Sequence, residues 1–226
     1  MAAALTARGH KVEVVCLSDH LEHDDSAYQF RVHRIRRGLF WPWRVLLTTF
    51  AIWRVARRHD LAFVNGLGTE SAVGALLAGR PSVHKIVGDY AWERAVGRGW
   101  FRGTMDDYQT SAKNPVLRLL DLARTFPVRL ASQVIVPSRY LSGIVEGWGI
   151  PPRTIQLVYN AVAASTQSRD LSATLPEWSG RTLITVCRLV RWKGVEALIR
   201  LLPELPDTRL VIAGDGHLRG ELEALA

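Results

Sequence analysis

Cysteine is almost missing from these 226 residues. There are two, Cys16 and Cys187, each inside a run rich in Val, Leu and Ile. That excludes a disulfide-stapled secreted scaffold and points to buried free thiols in a reducing compartment. Long apolar runs are missing as well. In the stretch around Trp41 to Trp53 the charge-free part extends only from Val45 to Trp53, short of the roughly 20 residues a bilayer-spanning helix needs. The chain shows no signal-peptide pattern, no internal repeat and no low-complexity segment. Acid is in deficit: 21 Asp and Glu face 29 Lys and Arg, a formal charge of +8. Such a surplus favours a phosphate-bearing partner, whether nucleotide, nucleic acid or anionic lipid. What remains is ordinary core material, 48% hydrophobic and 22% charged, which excludes disorder, collagen and coiled coil for the whole.

Met1 to Gly9 reads as the last turns of a helix with Gly9 as its stop. Short apolar or β-branched runs then recur at Val12 to Leu17, Leu61 to Val64, Val83 to Val87, Val134 to Val136, Ile155 to Tyr159, Leu183 to Cys187 and Leu210 to Ala213, with helix-like segments between most of them. The runs lack strict alternation, as parallel strands covered on both faces do, so the expected class is α/β, open and doubly wound. Ala161 to Gly180, rich in Ala, Ser, Thr and Asp, breaks this rhythm. The expected organisation is therefore a Rossmann-like domain over 1–162, a linker over 163–180 and the start of a second Rossmann-like domain over 181–226.

Two turns carry candidate chemistry. Asn65-Gly66-Leu67-Gly68-Thr69-Glu70-Ser71 lies between a strand and a helix that Thr69 could cap, with Asp89 past the next strand where a ribose-binding acid belongs. Ser71 in place of a third glycine leaves a plain sharp turn as the simpler reading, with a nucleotide-binding oxidoreductase as the alternative function. In Arg188-Leu-Val-Arg-Trp-Lys193-Gly194, Arg188 follows a parallel strand and Lys193 stands at the mouth of the next helix, a placement that suits a diphosphate. A solvated basic turn is the plainer account of those two residues taken alone.

Four segments in order resemble the family 4 glycosyltransferases of GT-B fold: Leu5-Thr-Ala-Arg-Gly9-His10 with the strand after it, Val136-Pro-Ser138-Arg-Tyr140, Ile155-Gln-Leu-Val-Tyr-Asn160-Ala-Val162, and Arg188 to Gly194 followed by Thr208 to Gly216. The resemblance implies a retaining hexosyl transfer from a nucleotide sugar to a glycan or lipid-linked acceptor, with no required metal or other cofactor. It assigns the donor diphosphate to Arg188 and Lys193, and implies polysaccharide biosynthesis in the cytoplasm. It also implies that this stretch is a fragment, inactive alone, because the family's opening strand with its Gly-rich loop and its Glu-x7-Glu element are not in the sequence. Where many members carry a His pair, this chain has Gly88-Asp89, and His84 reads as a core histidine instead.

Gly88 to Glu93 offers two carboxylates and two aromatics at a strand's carboxyl end before a long loop, Arg94 to Pro115. Asp89 and Glu93 are the candidate catalytic carboxylates and Trp92 a sugar contact, against ordinary loop packing with carboxylates paired to Arg94 or Arg98. Arg31 to Arg58 carries eight arginines with Trp41, Trp43, Phe50 and Trp53. On a helix from Trp43, Arg44, Thr48, Arg54 and Arg58 share an arc of about 120°, with Leu46, Phe50 and Trp53 opposite. Arg36, Arg37, Trp41 and Trp43 are the candidate contacts to an anionic membrane surface at the inner leaflet. A crossover helix with a solvated basic edge is the alternative. A nucleic-acid-binding module finds no reading motif here, so no nucleic-acid partner is expected.

Overall fold

The computed structural model describes residues 1–161 and 176–226. Most of the expected linker, residues 163–175, lies outside the described residues. The chain divides into two compact units, Met1–Glu93 with Gly103–Asn160, and Arg94–Arg102 with Ala161–Ala226.

Unit one opens with helix α1 (Ala2–Thr6), closed by the Gly9 N–H to the Thr6 carbonyl at 2.9 Å and the His10 N–H to the Leu5 carbonyl at 3.2 Å. Strands β1 (Glu13–Ser18) and β2 (Arg31–Arg36) pair in parallel, Glu13 beside Arg31. The arginines at 31, 34 and 36 are therefore on a strand, where the sequence reading had only a basic segment. Helix α2 (Trp41–Ala56) follows, and β3 (Ala62–Val64), α3 (Gly68–Leu77), β4 (Ser82–Lys85), α4 (Tyr90–Gly97), α5 (Met105–Thr110), α6 (Pro115–Arg129), β5 (Gln133–Val136), α7 (Arg139–Gly147) and β6 (Ile155–Leu157) come next in chain order, all in unit one except the second half of α4, from Arg94 on. Strands β3 to β6 form one sheet in that order, every pair parallel. Parallel pairing requires crossovers, and the helices supply them. The stretch 94–115, expected as a loop, holds α5 instead. Thr104 and Asp107 cap it reciprocally, the Thr104 hydroxyl accepting from the Asp107 N–H and the Asp107 carboxylate accepting from the Thr104 N–H.

The core of this unit gathers Val128, Val134, Val136, Leu141, Val145, Trp148 and Ile150, from α6, β5, α7 and the turn after α7. Each such side chain contributes about 1.5 to 3 kcal/mol by leaving water. Helix α2 packs on α3 closely because Gly74 has no side chain. A Cβ there would sit 2.8 Å from Ile52 Cγ2 and 3.0 Å from the Thr49 carbonyl oxygen.

Unit two contains β7 (Arg181–Val186), α8 (Val195–Leu201), β8 (Thr208–Ala213) and α9 (Arg219–Leu225). The two strands pair in parallel, Arg181 beside Thr208 through Val186 beside Ala213. Its core is Leu189, Val195, Ile199, Leu218 and Leu222. Both cysteines are free and half-buried. Among the described residues no helix is long and apolar enough to cross a membrane.

Candidate functional site

Because β3 to β6 are all parallel, the loops at 65–67, 86–89, 137–138 and 158–160 leave the same edge of the sheet, where open α/β sheets bind ligands. Ser138 caps α7 there, its hydroxyl accepting from the Leu141 N–H at 3.1 Å. Lys85 Nζ donates to Asn160 Oδ1 at 2.9 Å and ties the end of β4 to the loop after β6. The sequence reading named Asn160 without its lysine.

Asp89 sits at this edge but faces inward, with no exposed surface. Its Oδ1 accepts from the N–H groups of Ala91 (2.8 Å) and Trp92 (3.2 Å), which fixes the start of α4. Its Oδ2 accepts from Gln109 Nε2 and from Arg124 Nη1, both at 2.8 Å. Arg124 stacks on Trp148, 4.1 Å from the ring centroid, and Trp148 Nε1 donates to Gln109 Oε1 at 3.1 Å, so four side chains close a ring. Asp121 adds a second carboxylate to Arg124 at 3.1 Å. With both oxygens engaged inside the unit, Asp89 holds structure where the sequence reading had it in an open cleft. The same geometry removes it as a ribose-binding acid, and with it the support for a dinucleotide site at Gly66. In that turn Leu67 takes the left-handed conformation (φ 51°) as the N-cap of α3, with no side-chain cap, so Thr69 does not cap the helix.

Trp92 is buried and donates from Nε1 to the Gly103 carbonyl at 3.2 Å, which leaves it packing α4 against the chain before α5. Glu93 folds back over the strand end: a Cβ on Gly88 would lie 2.7 Å from its Oε1. It is half-buried. His84, paired with Val64 on β3 and Val134 on β5, is 2% exposed, and burial pushes its pKa down to about 4. It is a neutral core residue.

In unit two, Arg188 and Lys193 stand exposed on the connection between β7 and α8, while Leu189 and Val190 between them are buried and anchor it. A turn of 3-10 helix, Arg191–Lys193, leads into Gly194, whose left-handed φ of 67° starts α8. The connection is locked to the turn after β8. The Cys187 N–H donates to the Ala213 carbonyl at 3.1 Å and the Leu189 N–H to the Asp215 carbonyl at 2.9 Å. Gly214 and Gly216 make this possible, since a Cβ on either would meet the Cys187 or Leu189 carbonyl oxygen at 1.9 or 2.3 Å. Two cations thus project from a loop with a fixed backbone at the carboxyl end of a parallel strand.

A model of Glycosyltransferase Family 4 matches residues 1–166. The chain belongs to that family. No curated protein matches it by sequence. Solved structures of like fold include HepE of Anabaena in complex with UDP and glucose, 19% identical, TM-score 0.62, covering 87% of this chain and 51% of its own. The lipopolysaccharide outer core galactosyltransferase WaaB is 13% identical, with TM-score 0.51 over 91% of this chain and 52% of its own. A UDP-N-acetylglucosamine 2-epimerase of Listeria monocytogenes is 16% identical, with TM-score 0.58 over all of this chain and 60% of its own. The family 4 chain described here thus spans about half the length of those proteins and shares the α/β architecture of GT-B enzymes. An epimerase among the matches means that the fold alone does not choose an activity.

Proposed function

We propose that the protein serves retaining transfer of a hexosyl unit from a nucleotide sugar to a glycan or lipid-linked acceptor, with Arg188 and Lys193 holding the donor diphosphate. The observation that carries this reading is the locked β7–α8 connection, which leaves Arg188 and Lys193 exposed, with Arg191 beside them, while Leu189 and Val190 are buried and anchor it. Departure of a nucleoside diphosphate develops negative charge, and fixed donors that need no reorganisation stabilise it in the transition state. Two such cations can neutralise the leaving group without a divalent metal. HepE, named in complexes with UDP, glucose and UDP-glucose, supports a uridine nucleotide sugar as the first donor to try. On this reading Asp89 and Trp92 hold the start of α4 at the carboxyl edge of unit one.

In a catalytically active protein that includes this chain, Arg188→Ala and Lys193→Ala should each lower kcat/KM by about 2 to 4 kcal/mol in transition-state stabilisation, with melting temperature unchanged. Melts that fall steeply while the surviving folded enzyme keeps normal kinetics would make both residues structural and end the assignment.

A further inference from the structure

Helix α2 turns its aromatic face away from the protein. Thr48, Ile52 and Ala56 are the residues it buries, and they lie within an arc of about 80° at 100° per residue. Trp43, Leu46, Phe50, Arg54 and Arg57 lie opposite, within another arc of about 80°. Trp43 is 63% exposed, Leu46 60% and Phe50 54%, and Trp41 beside them is 66% exposed. The sequence reading had Arg44 and Thr48 on one solvated arc with Arg54 and Arg58. The structure splits that arc, taking Thr48 into the interior and leaving Arg54 and Arg58 outside.

Charge on this face has one sign. From Ser26 to His59 the chain holds eight arginines and no Asp or Glu. Several are occupied within the unit: Arg34 pairs with Asp25, Arg37 with Asp19 at 3.3 Å, and Arg44 Nη1 donates to the Arg37 carbonyl at 3.1 Å. The arginines at the helix's C-terminal end face solvent instead. Phe50, Trp53, Arg54, Arg57 and Arg58 line an open concavity of about 420 Å³, with Arg57 stacked 4.8 Å from the Trp53 ring and Phe50 tilted against Trp53 at 5.3 Å. The outward face is therefore apolar in its N-terminal half and cationic in its C-terminal half, along about 24 Å of helix.

We propose that this face docks on an anionic phospholipid surface, with Trp41, Trp43, Leu46 and Phe50 entering the headgroup boundary and Arg54, Arg57 and Arg58 receiving a lipid phosphate in the concavity. Indole rings belong at that boundary, and neither shallow insertion nor Coulomb attraction alone holds a protein firmly. Because α2 follows β2, Trp41 and Trp43 stand at the carboxyl end of that strand, the side on which an α/β unit receives ligands. Docking would bring a lipid-linked acceptor to that side. Arg37, tied to Asp19, and Arg36 on the strand end assist only through their field.

The test is co-sedimentation of the 226-residue chain with phosphatidylcholine vesicles, with and without phosphatidylglycerol. Binding is expected only with the anionic lipid, and it should weaken as salt rises to about 0.5 M. Arg54→Gln with Arg57→Gln and Arg58→Gln should weaken it about a hundredfold at low salt. Trp43→Ala with Phe50→Ala should weaken it at every salt concentration while leaving the salt slope in place. All five side chains face solvent or the rim of the concavity, and a melting curve for each variant confirms that the fold survives. Full binding by either variant, equal binding to pure phosphatidylcholine, or displacement from vesicles by a short nucleic acid that the Trp43 and Phe50 variant still binds normally would each overturn the proposal. The donor-site kinetics of Arg188 and Lys193 variants do not depend on the outcome, so the two readings fail separately.

Discussion

Replacing Asp89 by Asn tests whether this residue holds the fold or performs chemistry. The substitution keeps size and shape, and Oδ1 can go on accepting from the Ala91 and Trp92 N–H groups, so the start of α4 stays capped. The damage falls at Oδ2. An amide nitrogen there would face Gln109 Nε2 and Arg124 Nη1, each 2.8 Å away and each a donor. Arg124, 8% exposed, would keep Asp121 at 3.1 Å, the Thr125 hydroxyl at 3.3 Å and the face of Trp148. Removing one partner of a buried ion pair costs about 3 to 5 kcal/mol. The retained cap and the second carboxylate place Asp89→Asn at the lower end, about 3 kcal/mol. For a domain of this size that is a fall of roughly 6 to 12 °C in melting temperature. Asp89→Ala, which also loses the cap, adds about 1 kcal/mol. Urea unfolding of the 226-residue chain measures both. Asp89→Asn with Arg124→Met should cost less than the sum of the single changes by about 0.5 to 3 kcal/mol, because the second substitution removes the charge that the first leaves stranded. An Asp89→Asn protein within about 0.5 kcal/mol of wild type, especially one that loses turnover in an active enzyme, would refute the structural role and return Asp89 to the cleft.

Other expectations follow from single contacts. His84 is held at a pKa of about 4 by burial, while an unfolded chain takes its proton near pH 6.5, so the unfolded state binds more protons as pH falls and stability drops from about pH 6.5 toward 4. By pH 5 the loss should be about 2 kcal/mol, and urea midpoints at pH 7.5 and 5 should show it in wild type and not in His84→Leu; parallel slopes in the two would sink the idea. Gly74→Ala should destabilise by about 1 to 3 kcal/mol through the crowded Ile52 and Thr49 contacts, against a helix-propensity gain of about 1, and a raised melting temperature would show that α2 simply moves aside. Gly214→Ala drives a Cβ into the Cys187 carbonyl, so amide exchange at Leu189 and Cys187 should accelerate in that variant, and unchanged protection would mean that the two turns are not locked together.

The parallel strands were legible as short apolar or β-branched runs without strict alternation, and β3 to β6 and β7 with β8 do pair in parallel, as the α/β class requires. Strand β2 was not, because Arg31-Val-His-Arg-Ile-Arg36 alternates cations with apolar residues on a strand exposed along part of its length. Read as charge, it merged with the helix after it. Helix α5 carried its signal in Thr104-Met-Asp-Asp107, a reciprocal cap three residues apart, within a stretch otherwise too polar to show a period. Arg124 was the decisive residue passed over. In Leu117-x2-Leu120-x3-Arg124-x3-Val128 the arginine occupies a core position of a 3.6-residue repeat, and a charge there demands an opposite charge from elsewhere in the chain.

That demand also explains why Asp89 looked functional. A carboxylate after a parallel strand, followed by aromatics, has the same local sequence whether it faces a ligand or caps a helix toward the core. The difference lies 35 positions away, in the arginine that reaches it. Arg188 and Lys193 are the opposite case. Their connection is held by backbone carbonyls and by glycines that admit them, so among the described residues no hydrogen bond or ion pair consumes the two side-chain charges, and buried Leu189 and Val190 anchor the backbone between them. A charge that the fold uses up is a poor candidate for chemistry, and a charge that the fold holds out at a strand's carboxyl end is a good one. By that criterion Arg188 and Lys193 are the residues to test first as the proposed donor-diphosphate site. The same criterion sets Asp89 aside, because the fold uses its charge, and the Asp89→Asn unfolding curve measures how much it depends on it.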